Sequence, residues 1–353
     1  MAIRPSTEEI RRFIAANVAK YPSDIARVCS EKFGVSRQAI HRHLRTMEVN
    51  GLLEGSGNTR SRRYALRKVS QMFQTYFVTE GFEEDVPWSA DVKPLLEGIP
   101  ENIMTICAYG FTEMLNNVID HSQSKTVTIT LARTAQDVDF RILDGGVGIF
   151  KKIKTDLNLN DEMEAIWELS KGKLTTDPKR HSGEGIFFTS RLFDHFSIMS
   201  GTLFFSHNQP NDDWLIENRH DDQHGTYLCM NINLDSTTTA KAMFDKFASE
   251  DNDYAFSKTH VPVKLLQYGT DNLISRSQAK RLLARFEKFQ EVILDFSGVE
   301  SVGQAFSDEV FRVFKNSHPE IRIVAINANE QVRQMMARAM SHDSTPATNR
   351  ENC

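Results

Sequence analysis

Hydrophobic residues recur at helical spacing three times within the first fifty residues, which predicts three short amphipathic helices. The first pattern follows a capping signal, because Ser6 can cap a helix and Glu9 can bond back to it. The third begins after Ser36 and has one apolar face. Residues 52–66 then predict a strand, a turn and a second strand. The chain therefore opens with a small helical module that ends in a hairpin.

The middle of the chain combines a long apolar helix with strands and glycine-rich turns. An apolar pattern over 103–117 predicts the helix, and strict alternation over 126–131 and 138–143 predicts two strands that pair as a hairpin. Glycines follow the second strand, and further glycines open another helix within 182–188. The apolar residues of 69–97 form no clear motif, so we predict a connecting segment there.

The last third of the chain alternates strands with helices. Strands are predicted over 261–265, 291–296 and 321–326, with amphipathic helices over 275–289 and 306–313 between them. Alternating elements of this kind predict a small sheet with helices packed on it.

The composition is that of a globular chain with two or three domains. Of 353 residues, 40% are hydrophobic and 25% charged, and no apolar run approaches the length of a membrane span or the core of a signal peptide. Four cysteines lie far apart in sequence, which indicates neither a disulfide framework nor a zinc site. We expect a cytoplasmic protein with no membrane partner.

Charge is distributed unevenly along the chain. Residues 1–70 hold 14 Lys and Arg against 6 Asp and Glu, whereas the remainder holds 28 against 41. A basic module on an acidic body is typical of a nucleic-acid-binding head, because phosphate contacts supply most non-specific affinity. This imbalance predicts double-stranded DNA as a partner.

The N-terminal module resembles a winged helix-turn-helix domain. The resemblance rests on the tight turn at Phe33-Gly34-Val35, on the helix that follows it, and on three arginines in the returning arm of the hairpin. It implies that the third helix enters the major groove and that the hairpin is the wing. The implied base-facing residues are Ser36, Arg37, Gln38, His41 and Arg42, and the implied phosphate or minor-groove contacts are Arg60, Arg62 and Arg63. A solvated basic surface and a winged helix that binds protein are the alternatives.

Three polar residues share one face of the long apolar helix. Glu113 and Asn117 lie four residues apart, and His121 extends the same row. These groups are costly to bury unless a ligand or partner satisfies them. Asp144 ends the second strand of the hairpin, next to glycines that let a ligand approach the backbone. The glycines after Ser182 leave N–H groups at a helix start for phosphate oxygens.

Four motifs occur in the order of the GHKL ATPase family: Glu113 to Asn117, Asp144 to Gly148, Ser182 to Phe188, and Gly225-Thr226. The chain is similar to that family over about 98–234, and most of all to its anti-sigma-factor serine kinases. The resemblance implies ATP and Mg²⁺ as cofactors, Glu113 as general base and Asn117 as the Mg²⁺ ligand. The implied nucleotide contacts are Asn117, Asp144, Gly146, Gly148, Gly183, Gly185 and Thr226.

The resemblance also implies that residues 151–181 form a lid over the nucleotide. Lys171, Lys173 and Thr175 are among the lid groups that could meet a triphosphate. Serine kinases of this type have Arg immediately before Ser-Gly, whereas His181 stands at that position here. Slow hydrolysis and phosphoryl transfer are therefore both left open.

The C-terminal region resembles a STAS-like domain of undetermined function over about 258–340. The motifs are Leu294 to Val299 and the continuation Val302 to Phe311. In anti-anti-sigma proteins a phosphorylated serine lies just before the following helix, but Gln304 and Ala305 occupy that place here. Self-phosphorylation of the nearby Ser301 or Ser307 is an alternative, but both serines are more simply interpreted as helix caps.

The predicted fold class is multidomain: an all-α winged-helix head, an α+β sandwich of the Bergerat type, and an α/β STAS-like domain. The predicted bounds are 1–68 for the head, 69–97 for the connecting segment, 98–235 for the ATP-binding domain, 258–340 for the STAS-like domain and 341–353 for a disordered tail.

The function we predict is that of an ATP-binding and DNA-binding transcriptional regulator in which Mg-ATP gates the winged helix. Its further partners would be a second copy of itself, in a homodimer, or another regulatory protein. Two alternatives remain: a serine/threonine kinase acting on a STAS-like domain with Glu113 as base, and an interaction protein that antagonises a sigma factor.

Overall fold

The computed structural model describes residues 5–58, 61–174, 183–209, 213–248, 256–267 and 273–341. Arg60, Thr175 and His181 lie outside these ranges, as does the predicted tail from 342 onward. Within the described ranges, no helix combines the length and the apolar character that crossing a membrane would need.

The N-terminal module consists of three helices and a two-stranded antiparallel sheet. Its elements are α1 (Thr7–Asn17), α2 (Ile25–Phe33), α3 (Arg37–Val49), β1 (Leu53–Ser56) and β2 (Arg63–Leu66). The capping signal acts as the sequence predicts, since Glu9 N donates to Ser6 Oγ and Ser6 N donates to the Glu9 carboxylate. Ile14, Cys29 and Leu44 belong to a core that is separate from the core of the rest of the chain.

Five antiparallel strands form the central sheet. The elements of this region are β3 (Lys68–Phe77), α4 (Asp85–Pro87), a π-helical turn (Trp88–Val92), a 3₁₀ turn (Lys93–Leu96), α5 (Glu101–Asn117), a second π-helical turn (Val118–Ser122), β4 (Thr126–Thr134), β5 (Asp137–Asp144), α6 (Ile149–Asp156), α7 (Glu162–Lys171), α8 (Gly185–Leu192), β6 (His195–Asn208), β7 (Asp213–Asn233) and α9 (Ala240–Phe247). The strand order is β3-β4-β5-β7-β6. Helices cover one sheet face, where Phe111 of α5 packs on Phe140 of β5 with ring centroids 5.9 Å apart. The result is a two-layer α+β sandwich.

The prediction that 69–97 is only a connecting segment is wrong. β3 pairs with β4 along its length and forms one edge of the sheet. Met72 and Tyr76 pack against the helices, whereas Phe73 and Phe77 are exposed on the opposite face. Because both faces carry large apolar residues, the alternation that identifies a half-buried strand is hidden in the sequence.

The C-terminal domain is built on a three-stranded parallel sheet in the order β10-β9-β8. Its elements are β8 (Lys258–Pro262), a 3₁₀ turn (Val263–Leu266), α10 (Arg276–Leu283), a 3₁₀ turn (Phe286–Lys288), β9 (Glu291–Asp295), α11 (Gln304–Asp308), a π-helical turn (Glu309–Phe314), α12 (Lys315–Ser317), β10 (Arg322–Ile326) and α13 (Glu330–Ser341). The helix predicted over 275–289 is interrupted, because Arg285 adopts a left-handed conformation with φ of 66°. That turn places the Arg285 side chain against the central domain.

A buried ion network joins the central and C-terminal domains. The Glu168 carboxylate on α7 accepts from Lys171 Nζ at 2.6 Å and from Arg285 Nη1 at 2.6 Å. Lys171 is 1% exposed and also donates to the carbonyl oxygens of Arg281 and Ala284 at 3.0 Å each. Burial lowers the pKa of Lys171, and the Glu168 carboxylate opposes that effect. A single hydrophobic core runs through both domains, so they pack as one body.

Replacing Glu168 by Gln should lower the free energy of unfolding by about 3 to 5 kcal/mol, the usual cost of removing one partner of a buried ion pair. The variant presents an amide N–H₂ to two buried cations that previously shared a carboxylate. Urea unfolding of the full chain measures the loss. Glu162→Gln, the same change at the first residue of α7, should cost less than about 1 kcal/mol, and equal losses in the two variants would contradict the network's importance.

Candidate nucleotide-binding site

A cavity of about 380 Å³ opens beside the central sheet, between α5, α6 and α8. It is lined by residues from distant parts of the sequence, and its walls are mainly apolar, with Ile142 and Leu228 from the sheet and Ile186 from α8. The predicted site residues that line it are Glu113, Asn117, Asp144, Gly148, Gly183, Gly185 and Thr226. His121 joins them from the π-helical turn after α5. The motifs that are separated in the sequence therefore converge on one cavity.

The polar end of the cavity is built around Asp144, which ends β5 and is 3% exposed. Its Oδ1 accepts from Gly146 N at 2.8 Å, and Asp144 lies opposite Thr226 in the ladder between β5 and β7. Burial raises the pKa of Asp144, and the hydrogen bonds from Gly146 and Thr226 offset part of that effect. A buried carboxylate among apolar walls suits a flat ligand that carries a hydrogen-bond donor, such as the amino group of adenine.

Two glycines allow close approaches that a side chain would prevent. A Cβ at Gly185 would lie 2.2 Å from Glu113 Oε2, so the catalytic candidate packs directly on the start of α8. A Cβ at Gly146 would lie 2.0 Å from the carbonyl oxygen of Ser122. Gly146 does not line this cavity but lines an adjoining one, which shares Val147 and Gly148 with it, and it packs the loop after Asp144 against the π-helical turn.

The prediction that Lys173 contacts the nucleotide disagrees with its position. Lys173 Nζ donates to the carbonyl oxygen of Lys288 at 2.8 Å and lies 5.1 Å from the centre of the Phe289 ring. Lys171 likewise points away from the cavity, because its ammonium group is hydrogen-bonded within the buried ion network. Lys171 at the end of α7 and Lys173 just beyond it both reach the C-terminal domain. That domain offers carbonyl oxygens and aromatic faces that satisfy a partly desolvated ammonium group.

Lys152 and Asp156 of α6 also line the cavity, although the sequence motifs do not predict them as site residues. Lys152 Nζ lies 2.9 Å from Asp156 Oδ2, and these side chains are 29% and 21% exposed. Among the described residues of the cavity wall, Lys152 is the only lysine. The signal was present, since Lys152 follows Gly148 by one helical turn and Asp156 follows Lys152 by another.

Magnesium could be held here chiefly through the nucleotide. Among the described residues, no group of three or more His, Cys, Asp or Glu side chains could hold a metal ion by itself. Mg²⁺ often binds through one or two protein oxygens together with substrate phosphates and water. The amide oxygen of Asn117, which lines the same cavity as Glu113, fits that pattern.

The N-terminal module presents most of its predicted DNA contacts to solvent. Arg37, Gln38, His41 and Arg42 are exposed on α3, and Arg63 is exposed on β2. Ser36 is exposed but caps α3 by accepting from Ala39 N at 3.2 Å. Arg62 has an internal role instead: it pairs with Glu48 and lies over the Tyr64 ring at 5.6 Å. We therefore regard Arg62 as a residue that fixes the hairpin to α3.

Comparison with known families agrees with the geometry of the central and C-terminal domains. A model of the histidine kinase-like ATPase domain matches residues 89–203, and a model of a STAS-like domain of unknown function matches residues 278–333. The chain thus contains a histidine kinase-like ATPase domain, which implies nucleotide binding, and a STAS-like domain. The first match begins inside the predicted connecting segment. No curated protein sequence gives a significant match.

A Gly185→Ala variant should bind ATP about ten- to a hundredfold more weakly, because relieving a clash of this kind typically costs about 1 to 3 kcal/mol. The added methyl group must displace the Glu113 carboxylate or the start of α8. Titration with a fluorescent ATP analogue measures the change. Gly145→Ala is the matched control, because the nearest atom to its new Cβ would be Ser124 Oγ at 3.9 Å; weakening by that control alone would contradict the assigned role of Gly185.

Proposed function

We propose that the protein is an ATP-dependent transcriptional regulator, in which Mg-ATP bound in the cavity changes how the N-terminal head binds duplex DNA. One observation carries this proposal: Arg67 alone separates β2 of the head from β3 of the sheet that bears the cavity. Arg67 N also donates to the carbonyl oxygen of Leu52 at 3.1 Å, which ties the link to the head. Such a short link has little freedom, so a change in the sheet is passed to the head.

The proposed binding arrangement follows the polarity of the cavity. The adenine would meet Asp144 and Thr226, and the phosphates would meet the N–H groups at the start of α8, beside Gly183 and Gly185. The positive end of the α8 dipole favours phosphate charge there. Asn117 would supply a Mg²⁺ ligand, and Lys152 would add positive charge from the opposite wall.

The exposed face of α3 supports DNA as the ligand of the head. Arg37, His41 and Arg42 lie on the same helix as Gln38, and these side chains are free of the module's core. Arginine and glutamine are side chains that read base edges in the major groove. The surplus of eight positive charges in residues 1–70 would supply the non-specific phosphate attraction.

Mg-ATP should change the affinity of the full chain for a DNA duplex selected from a random pool. Asn117→Ala should remove the difference between the nucleotide-bound and nucleotide-free affinities, because the Mg²⁺ ligand is lost. Arg42→Ala should weaken DNA binding by about 1 to 3 kcal/mol, as expected for a base contact. Fluorescence anisotropy measures the affinity of each protein for the duplex, with and without Mg-ATP.

Lys241→Ala is the matched control for loss of a positive charge, because Lys241 is exposed on α9, far in sequence from the head. Equal affinities of the unmodified chain with and without Mg-ATP would contradict the gate. Binding to duplex that does not weaken with salt would contradict the DNA-binding function itself.

A protein serine/threonine kinase is the second candidate function. It is favoured by the position of the Glu113 carboxylate in the cavity wall, against the first residue of α8, where a general base would be needed. Gln304 and Ala305 cannot accept phosphate at the corresponding position, however, and of the two serines nearby Ser307 is fully buried and Ser301 is half-buried. The chain's own STAS-like domain therefore makes a poor substrate.

Incubation with γ-labelled ATP should leave the full chain unlabelled, because Gln304 and Ala305 occupy the place of the phosphorylated serine and Ser307 close to them is buried. Label that appears on the protein and disappears in Glu113→Gln would instead establish the kinase. Glu101→Gln, an exposed position at the start of α5, is the control that should not alter labelling.

A further inference from the structure

A second cavity, of about 1060 Å³, adjoins the nucleotide cavity at the boundary between the central and STAS-like domains. Val147 and Gly148 line both cavities. The other walls of the second cavity come from α6, α7, β6 and β7 of the central domain and from Arg281 on α10 of the STAS-like domain. A cavity of this size accommodates a small organic ligand.

Helix α6 presents lysines to both cavities. Lys152 faces the nucleotide cavity, where it is paired with Asp156, whereas Lys151 and Lys154 line the second cavity. Lys151 and Lys154 are three residues apart and so lie on one face of the helix. Neither ammonium group forms an ion pair with any described residue. Two unpaired positive charges on one wall favour an anionic ligand.

Arg281 adds a third cation from the other domain. Its side chain is 42% exposed, and its Nε lies 3.6 Å from Glu164 Oε1. The guanidinium group has further N–H donors, whose geometry suits a phosphate or a carboxylate. Two carboxylates also line the cavity, and that of Asp161 is already engaged, since it accepts from Glu164 N at 2.9 Å. Glu162 is the other. Three cations against two carboxylates leave the cavity with a net positive charge.

One part of the wall is apolar and carries an unsatisfied donor. Met163 and Trp167, one helical turn apart on α7, line it together with Leu203 of β6. Trp167 is 7% exposed, and its Nε1 has no hydrogen-bond partner among the described residues. A buried N–H without an acceptor is costly, so a ligand oxygen that reaches it would be favoured. Indole and thioether groups also pack well against a flat ring.

We propose that the second cavity binds a small organic anion that carries a flat ring. The ring packs against Trp167 and Met163. The anionic group lies between the two lysines of α6 and Arg281, so the ligand contacts both domains at once.

The position of this site gives the ligand a role. Because Val147 and Gly148 belong to both cavities, the ligand lies next to the nucleotide while it also contacts the STAS-like domain. It is therefore placed to act as the signal to which the regulator responds. That role rests on the proposed function, whereas the binding itself does not.

The test follows the indole N–H signals of the full chain by NMR, with isotope-labelled tryptophan and naphthyl phosphate as the probe. The chain has three tryptophans, and the Trp167 signal is the one that Trp167→Phe removes. The probe should shift that signal in a saturable manner, both without nucleotide and with Mg-ATP. Naphthol, which lacks the anionic group, and inorganic phosphate, which lacks the ring, should each bind about tenfold more weakly or worse.

Lys154→Glu should weaken the binding of naphthyl phosphate about tenfold or more, because repulsion replaces attraction at the anionic group. Lys315→Glu is the matched control, since Lys315 is exposed on α12 and lines neither cavity. It should bind the probe as the unmodified chain does. Unchanged signals of Trp88 and Trp214 show that each variant is folded.

A Trp167 signal that the probe does not shift would overturn the proposal, as would equal binding by Lys154→Glu and Lys315→Glu. Naphthol or inorganic phosphate that binds as tightly as naphthyl phosphate would also overturn it, because the site would then not recognise an anion with a ring. Competitive displacement of the probe by Mg-ATP would place the probe in the nucleotide cavity instead. DNA binding that does not respond to Mg-ATP would contradict only the proposed function.

Discussion

The carboxylate of Glu168, buried between Lys171 and Arg285, fixes the arrangement of the larger part of the molecule. Three ionised groups out of water are costly unless each is paired and hydrogen-bonded. Here the remaining donors of Lys171 and Arg285 reach backbone carbonyl oxygens on both sides of the domain boundary. These bonds form only when the STAS-like domain lies against α7, so the network specifies one docking geometry in addition to whatever stability it supplies.

The same docking brings the STAS-like domain close to the nucleotide cavity. Leu169 and Leu174, at the end of α7 and just beyond it, both line the cavity, whereas Lys171 and Lys173 between them point to the other domain. A short segment therefore has one set of side chains facing the nucleotide site and another facing the STAS-like domain. Because packed interiors transmit strain, neither surface can be rearranged without disturbing the other.

The parts of the site that were predictable are those whose chemistry is local. Two motifs illustrate this: Asp144 with the glycines that follow it, and Glu113 with Asn117. Their residue types and spacings have few uses other than a ligand site, and both motifs line the same cavity. Lys173 was misplaced because a positive charge in a loop suits a phosphate and a carbonyl cluster equally well, and only the tertiary fold decides between them. The break at Arg285 has the same origin, since its left-handed turn is stabilised by partners more than one hundred residues away.

Arg191 of α8 connects the cavity wall with the parallel sheet of the STAS-like domain. Its guanidinium group stacks on Phe187, which lines the cavity, at 3.6 Å from the ring centre, and it donates to the carbonyl oxygen of His260 on β8 at 3.1 Å. His260 in turn bonds Asp295, at the end of β9. Burial raises the pKa of Asp295, but its hydrogen bonds outweigh burial and hold the pKa well below the usual range, so the carboxylate is firmly ionised. Phe187 in the cavity wall is thus connected, through a buried arginine, to the backbone of the STAS-like sheet.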